Sequence, residues 1–201
     1  MATTNDDNTP EVGDNLLGLT TPEQINEAEA KGVIEGEKFI LKLDEDIEIS
    51  ANLILQINKV AFGYLYGWAG TWRDKKVQVG AFLPSDPVQI PNLMYQFADE
   101  LKYKIVNSLD KEAHVTTLAY CHHRMVYIHP FNNTNGRTAR LLTNLVAYKF
   151  GYADINLYHR TGEKRKIYIE AIRMADEHNY TLLQNLIRSE LTLFGSGNKI
   201  N

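Results

Sequence analysis

Two runs of helically spaced apolar residues, separated by the polar stretch HPFNNTNGRTAR, constrain the fold of this chain more than any other feature. Apolar side chains recur every three or four positions across residues 115–125, and again across residues 142–146. Pro130 disfavours helical backbone in the residue before it, so the first run must stop there. The pattern predicts two helices that meet at residues 129–140, with a polar segment at their junction.

The same spacing predicts helices along most of the chain. Residues 70–84, here called the flap, differ because glycines interrupt them and because Val77 and Val79 alternate with polar residues, as in a β-hairpin. The predicted fold class is therefore mainly α, with one small β element. We expect a single domain over residues 19–195, between flexible tails at residues 1–18 and 196–201.

Composition excludes several classes of protein. Apolar residues make up 44% of 201 residues, enough for one domain with a substantial core. A formal charge of −4 argues against general nucleic-acid binding, and no apolar run is long enough to cross a membrane. The lone cysteine, Cys121, and an N-terminus without a secretory signal favour a cytoplasmic protein.

The polar stretch has the composition of a phosphate site. The first N–H groups of a helix lack partners within it, and Asn135 and Gly136 tolerate backbone conformations that turn such groups toward one point. Arg137 and Arg140, three residues apart, share a face and can each bind phosphate oxygens. His129 could act as general base toward a hydroxyl. These residues together predict transfer of a phosphate-containing group to a hydroxyl.

A purely structural interpretation fits the same residues. A connection rich in Asn and Gly is commonly an ordinary turn, and arginines that follow it commonly form surface ion pairs. The GxxxxGK[S/T] phosphate loop is absent from the sequence, so that motif gives no independent support for phosphate binding. From residue patterns alone, both interpretations stay open.

Residues 129–140 resemble the motif of the Fic family, His-Pro-Phe-x-Asp/Glu-Gly-Asn-Gly-Arg-x-x-Arg. The flanks LAYCHHRMVYIHPF and TARLLTNLVAYKFGY resemble the two central helices of that family, and AGTWRDKKVQVGAFLP resembles its flap hairpin. The resemblance extends from about Tyr64 to Leu191 and implies a Fic-type helical bundle with a small β-hairpin flap. The motif positions that match are His129, Pro130, Phe131, Asn135, Gly136, Arg137 and Arg140.

The resemblance implies a protein adenylyltransferase, which uses ATP and Mg²⁺ to place AMP on a Ser, Thr or Tyr hydroxyl of a target protein. By position, His129 would be the general base. Asn135 and Gly136 would line the anion hole. Arg137 would bind the β-phosphate and Arg140 the γ-phosphate. The resemblance also implies a bacterial source and self-association as a homo-oligomer.

Two residues depart from the family motif. Asn133 stands where the family has the acidic residue that holds Mg²⁺, and a neutral amide is a weaker ligand for this cation. Thr134 stands where the family has a nucleotide-binding glycine, and its Cβ restricts the backbone. Relatives of the "mobile mystery protein B" type, which the chain resembles, share the Asn. Three hypotheses stay open: adenylyl transfer, transfer of phosphate or phosphocholine, and a weakly active nucleotide-binding or toxin–antitoxin interaction protein.

The resemblance also implies roles for two segments outside the motif. The flap, with Val77 and Val79, would position a target segment by strand pairing. Residues 21–36 would form an inhibitory helix, because Glu35 precedes a glycine as in the family's Ser/Thr-x-x-x-Glu-Gly/Asn pattern, although Lys31 takes the Ser/Thr position. The hypothesis is that Glu35 pairs with the last motif arginine, and the alternative is an exposed helix-end glutamate.

Overall fold

Seven α-helices lie in the described part of this computed structural model, which comprises residues 15–157, 159 and 161–195. A 3₁₀ turn, Pro87–Gln89, leads into the third helix. The mainly α prediction is confirmed. In chain order the helices are α1 (Pro22–Ile40), α2 (Ala51–Phe62), α3 (Ile90–Asn107), α4 (Lys111–Ile128), α5 (Asn135–Lys149), α6 (Glu163–Asp176) and α7 (Thr181–Glu190).

Local capping residues set the helix starts. Thr21 forms a capping box with Gln24, in which the Gln24 N–H donates to the Thr21 hydroxyl at 3.3 Å and the Gln24 side chain accepts from the Thr21 N–H at 3.2 Å. The Ser50 hydroxyl accepts from the Leu53 N–H at 3.1 Å at the start of α2. These polar side chains satisfy N–H groups that have no partner inside their helices.

The consecutive helices α4 and α5 pack along each other at the centre of the fold. The pair α1 and α2 covers α5, the pair α6 and α7 covers α4, and α3 packs on α2 and α4. Large apolar side chains from several of these elements are fully buried, among them Phe62, Phe97, Leu118 and Phe131. This arrangement fixes the loop between α4 and α5 at one end of the central pair.

Two glycines let α1 approach its neighbours closely. A Cβ on Gly32 would overlap the Ala61 carbonyl oxygen, and one on Gly36 would lie 2.7 Å from the Leu141 side chain. Glu29, three residues before Gly32, lies on the same inward face of α1. The sequence KGVIEGE is therefore a helix-packing pattern, which explains the glycine that follows Glu35.

The hairpin predicted for the flap is not confirmed by the structure. Val79 and Phe82 exchange two backbone hydrogen bonds, of 3.0 and 2.9 Å, around a turn in which Gly80 has φ 58°. They form an isolated bridge, and the described residues include no longer strand at Val77. An isolated two-stranded hairpin gains little from its own pairing, which explains why the alternating pattern did not produce strands.

The predicted tails fall largely outside the described residues, namely at residues 1–14 and 196–201. Residues 15–18 are described, and there the Leu16 N–H donates to the Leu65 carbonyl oxygen at 2.8 Å. Within the described chain, every helix is too short or too polar to cross a bilayer. The division into tails and one domain remains a prediction.

Candidate active site

The motif histidine ends α4 in a left-handed conformation. His129 has φ 53° and ψ 58°, and its N–H donates to the Met125 carbonyl oxygen at 3.2 Å. Its Nδ1 lies 3.3 Å from the Val126 carbonyl oxygen, and because a carbonyl only accepts, Nδ1 carries the ring proton. The lone pair is then on Nε2, as general-base chemistry at that atom requires.

The side chain of Asn135 holds the shape of the motif loop. Its Oδ1 accepts from the Phe131 N–H at 2.8 Å, and its Nδ2 donates to the Phe131 carbonyl oxygen at 2.9 Å. Phe131 is fully buried and contacts the Trp72 ring, with 5.3 Å between the ring centroids. The amide of Asn135 therefore braces the loop. The N–H groups of Asn135 and Gly136, at the first turn of α5, remain the groups suited to an anion.

Thr134 adopts a backbone conformation that is unfavourable for a β-branched residue. Its φ of 66° and ψ of 10° lie in the left-handed region, which costs a residue with a Cβ about 1–2 kcal/mol. Its hydroxyl accepts from the buried Asn58 Nδ2 at 3.0 Å. Asn58 Nδ2 also donates to the Thr138 hydroxyl, and its Oδ1 accepts from the Gly70 N–H at 2.8 Å. Asn58 thus links the motif loop to the start of the flap.

Asn133 is poorly suited to hold a metal ion. Its Oδ1 accepts from the Thr134 N–H at 2.6 Å, so this oxygen is already engaged within the loop. Across the described residues, His, Cys, Asp and Glu side chains nowhere form a group of three or more that could bind a metal. A Mg²⁺ ion at this loop would depend mainly on oxygens of a bound triphosphate.

The first arginine of the motif forms an ion pair with a glutamate of α1. Arg137 Nη1 lies 2.8 Å from Glu29 Oε1, and Nη2 lies 2.7 Å from Oε2. The Tyr66 hydroxyl donates to Glu29 Oε1 at 2.8 Å. Only 2% of the glutamate side chain and 11% of the arginine side chain are exposed. Because a carboxylate presents the same paired oxygens as a phosphate, a phosphate can bind this fork only after Glu29 has left it.

The hypothesis that Glu35 pairs with Arg140 is corrected by these contacts. Glu35 Oε1 binds Lys38 Nζ at 2.7 Å, and 57% of the Glu35 side chain is exposed. Gly36 faces the core, so the preceding residue points toward solvent. The glutamate that contacts a motif arginine is Glu29, and that arginine is Arg137.

Arg140 lies between two cavities. The flap cavity, of about 400 Å³, is lined by the flap turn at residues 79–82, by His129 and by side chains of α6. The α1 cavity, of about 630 Å³, lies between α1 and α5 and is lined by Glu29 and Arg137. Arg140 lines both. The structure thus brings the histidine and the two arginines of the motif to adjoining spaces.

A buried histidine fixes one wall of the flap cavity. The Thr143 hydroxyl donates to the Ala139 carbonyl oxygen at 2.7 Å, so it accepts from His122 Nδ1, which lies 3.1 Å away. His122 Nε2 therefore accepts from the Tyr168 hydroxyl at 2.9 Å. Burial lowers the pKa of His122 to about 3, and the positive charge of Arg140 acts in the same direction. His122 is therefore a neutral, hydrogen-bonded histidine of the core.

Several residues near the motif were missed by sequence reasoning, and most share one signal. Glu29 and Asn58 are polar residues on helix faces whose other members are buried. Asp176 lines the flap cavity and accepts from His123 Nε2 at 2.9 Å. A polar residue in an otherwise buried helix stripe could have identified Glu29 and Asn58, whereas nothing in the sequence distinguishes Asp176.

Comparison with known proteins gives consistent results. Residues 48–147 match the family model described as Fic/DOC family. Protein adenylyltransferase Fic from Drosophila willistoni is 31% identical over 136 residues, which cover 67% of this chain and 26% of that protein. The chain thus spans about a quarter of the length of the curated relatives it matches.

Solved structures support the same fold. The BepC protein from Bartonella tribocorum, with bound AMPPNP, superposes with a TM-score of 0.75 at 17% identity and covers 96% of this chain and 99% of that one. Fic-1 from C. elegans (residues 134–508) has a TM-score of 0.66 at 24% identity and covers 81% of this chain and 48% of that one. At these identities the likeness establishes the fold.

Proposed function

Because the chain belongs to the Fic/DOC family, we propose that it is a protein adenylyltransferase that moves AMP from ATP to a hydroxyl of a target protein. The flap cavity is the observation that carries this proposal. It contains His129 and Arg140 beside the flap turn at residues 79–82. Its volume, about 400 Å³, falls in the range of ligand pockets, about 300–1,000 Å³.

His129 is the proposed general base. Nε2, which holds the lone pair, takes the proton of the target hydroxyl while the hydroxyl oxygen forms a bond to the α-phosphorus. The bond from that phosphorus to the bridging oxygen of the β-phosphate breaks, and pyrophosphate leaves. The first N–H groups of α5, from Asn135 and Gly136, would stabilise the negative charge that develops on the α-phosphate oxygens.

The two motif arginines are the proposed binding groups for the leaving pyrophosphate. Arg140 lines the flap cavity directly, which supports a γ-phosphate contact. Arg137 is the proposed β-phosphate contact, and it now holds Glu29 instead. We therefore assign the inhibitory role to Glu29 and not to Glu35, with α1 as the inhibitory helix. Catalysis requires that Glu29 release the fork of Arg137.

Mg²⁺ is proposed to enter with ATP, held by triphosphate oxygens. Asn133 supplies at most a neutral contact, because its Oδ1 accepts a loop N–H. When bound, the ion would neutralise phosphate charge. The remaining proposed partner is a target protein, whose segment would lie along the flap at Val77 and Val79. The lone cysteine, Cys121, is consistent with a cytoplasmic location.

Label transfer from α-labelled ATP tests the proposal. Wild type and His129→Ala are each incubated with cell lysate as the target pool, and labelled proteins are analysed by mass spectrometry. Loss of a general base typically lowers the rate by about 10²–10⁴-fold, so labelling by the alanine variant should be lost. The added mass should be that of AMP. Equal labelling by both proteins would contradict His129 as base.

Each of the other candidate functions is supported by a specific feature of the site and predicts a different outcome of the labelling experiment. The altered loop, with Asn133 and Thr134, supports transfer of phosphate or phosphocholine, and the added mass would then differ from that of AMP. The occupied fork of Arg137 supports a weakly active nucleotide-binding or toxin–antitoxin interaction protein. That protein would bind ATP without labelling a target, even after Glu29 has been replaced.

A further inference from the structure

A buried arginine outside the motif connects the flap with the loop that carries the proposed base. Arg73 is 2% exposed, and its guanidinium contacts three backbone carbonyl oxygens. Nε donates to His129 O at 2.7 Å. Nη1 donates to Lys75 O at 2.8 Å, and Nη2 donates to Ser85 O at 2.7 Å. One side chain therefore bonds the motif histidine and the two residues, Lys75 and Ser85, that flank residues 76–84, here called the flap loop.

The backbone of the same arginine reinforces the contact with the motif loop. The Arg73 N–H donates to the Pro130 carbonyl oxygen at 2.8 Å, so two consecutive carbonyls, of His129 and Pro130, are held by one residue. His129 is left-handed, with φ 53°, and such backbone persists only where its surroundings determine it. Arg73 supplies two of those determining contacts.

Few contacts other than those of Arg73 close the flap loop. Val79 and Phe82 bond each other across the turn, and the Phe82 ring contacts Tyr127 at 5.1 Å between centroids. Lys76 pairs with Asp86 at 3.4 Å, but 84% of the lysine side chain is exposed, and such exposed pairs add little stability. The ends of the flap loop are thus joined mainly through the guanidinium.

We propose that Arg73 is a positioning residue that couples the flap to His129, so that a target segment on the flap and the base keep a fixed geometry. This inference deepens the proposed function and rests on it for the role of His129 as base. The flap cavity is bounded by both elements, by the turn at residues 79–82 and by His129. Movement of the flap relative to the loop would separate the hydroxyl from Nε2.

The geometry requires arginine in particular. A planar guanidinium offers donors in several fixed directions, whereas a lysine ammonium is a point charge on a flexible stem. The three acceptors of Arg73 are neutral carbonyls that lie in different directions from it, those of Lys75, Ser85 and His129. A lysine keeps the positive charge but cannot reach all three oxygens, so Arg73→Lys separates the effect of charge from that of the fork.

Hydrogen–deuterium exchange on the full chain tests the coupling without any need for activity. In Arg73→Lys, amides of residues 74–86 and of residues 127–132 should both exchange faster, by about tenfold, because each segment loses hydrogen bonds. The matched control is Arg188→Lys. Arg188 also uses its fork, binding Glu112 at 3.1 and 2.6 Å, but on the surface of α7. This control should leave both segments unchanged.

Kinetics provide the second readout. If the wild type labels a target, Arg73→Lys should lower kcat by about 10²-fold, as expected for misplacement of reacting groups, while ATP affinity stays within about twofold. If the role of Arg73 were purely structural, Arg73→Lys would lower the stability of the fold without lowering kcat selectively relative to ATP affinity. Faster exchange confined to the flap, with residues 127–132 unchanged, would overturn the coupling. So would unchanged kcat.

These experiments distinguish an incorrect assignment of adenylylation from an incorrect assignment of the coupling by Arg73. If the wild type labels nothing, the exchange result alone still decides whether Arg73 joins the two segments. If Arg73→Lys does not fold, hydrogen–deuterium exchange of the wild type at increasing denaturant concentration tests whether the two segments are coupled. The amides of Arg73 and Phe82 should then open with the same denaturant dependence. Different dependences would contradict the proposal.

Discussion

Two arginines at the motif loop, the buried Arg73 and the largely buried Arg137, bind partners of opposite kinds. Arg73 donates to neutral backbone carbonyls, which the fold fixes in place. Arg137 binds the carboxylate of Glu29, which belongs to another helix and has the shape of a phosphate ligand. The comparison indicates that the first fork maintains the geometry of the site, whereas the second, the proposed β-phosphate contact, is occupied by a carboxylate of the protein itself.

The most disruptive test removes Arg137. In Arg137→Ala, the Glu29 carboxylate loses its ion pair with the guanidinium and keeps the hydrogen bond from the Tyr66 hydroxyl. Removing one partner of a buried ion pair costs about 3–5 kcal/mol, so urea unfolding should show a loss of this size. Glu29→Gln combined with Arg137→Met removes both charges and should recover most of it. A loss below about 1 kcal/mol in the single variant would show that the pair is effectively solvated.

ATP affinity distinguishes the two glutamates of α1. Glu29→Gly frees the fork of Arg137, and ATP should bind about tenfold more tightly, a typical coupling between two competing ligands. Glu35→Gly is the matched control, since it makes the same change on an exposed face where Glu35 binds Lys38. Calorimetric titration measures both. Tighter binding in the Glu35 variant, with none in the Glu29 variant, would restore the hypothesis that Glu35 is inhibitory.

Acid should weaken the wall of the flap cavity that lies beside Arg140. The pKa of His122 is 6.5 in an unfolded chain and about 3 in the fold, so the folded state binds fewer protons between these values. Its contribution to stability is complete above pH 6.5 and is lost as the pH falls toward 3, by up to about 1.4 kcal/mol per unit. His122→Asn should reduce this dependence in urea unfolding, and the exposed His178→Asn should not. Equal slopes in all three proteins would contradict a neutral buried His122.

The smallest expected effect concerns the two motif departures. Thr134→Gly relieves left-handed strain of about 1–2 kcal/mol but loses the hydrogen bond from Asn58, so stability should change by less than about 1 kcal/mol. Combined with Asn133→Asp, which restores an anionic oxygen, it should raise label transfer severalfold at limiting Mg²⁺. Absence of both ATP binding and labelling in the double variant would favour the interaction-protein hypothesis.

The helices and the motif residues could be predicted because their signals are local. Thr21, Ser50 and Pro130 mark helix ends through chemistry that acts within one turn. Periodic apolar residues identify α3 to α7 for the same reason. The association of His129 with the arginines of α5 follows from their short separation in the chain.

The partners of those residues could not be predicted, because they come from distant parts of the chain. Glu29 meets Arg137 across 108 residues, and nothing local to either residue indicates the other. The short pattern at Glu35 did not predict its partner, because the glycine after it serves helix packing and Glu35 binds Lys38. The hairpin predicted for the flap is not confirmed, because strand pairing needs neighbouring strands, and the residues that flank the flap loop are instead bonded by the guanidinium of Arg73.

The most direct test of the central claim, that Arg137 is a phosphate site closed by Glu29, is label transfer from α-labelled ATP by four proteins. These are wild type, Glu29→Gly, Glu35→Gly and the double variant Glu29→Gly/His129→Ala. We predict that Glu29→Gly labels a target at least about tenfold faster than wild type and Glu35→Gly, and that the double variant is inactive. Equal labelling by Glu29→Gly and wild type, with ATP bound equally well, would contradict the claim.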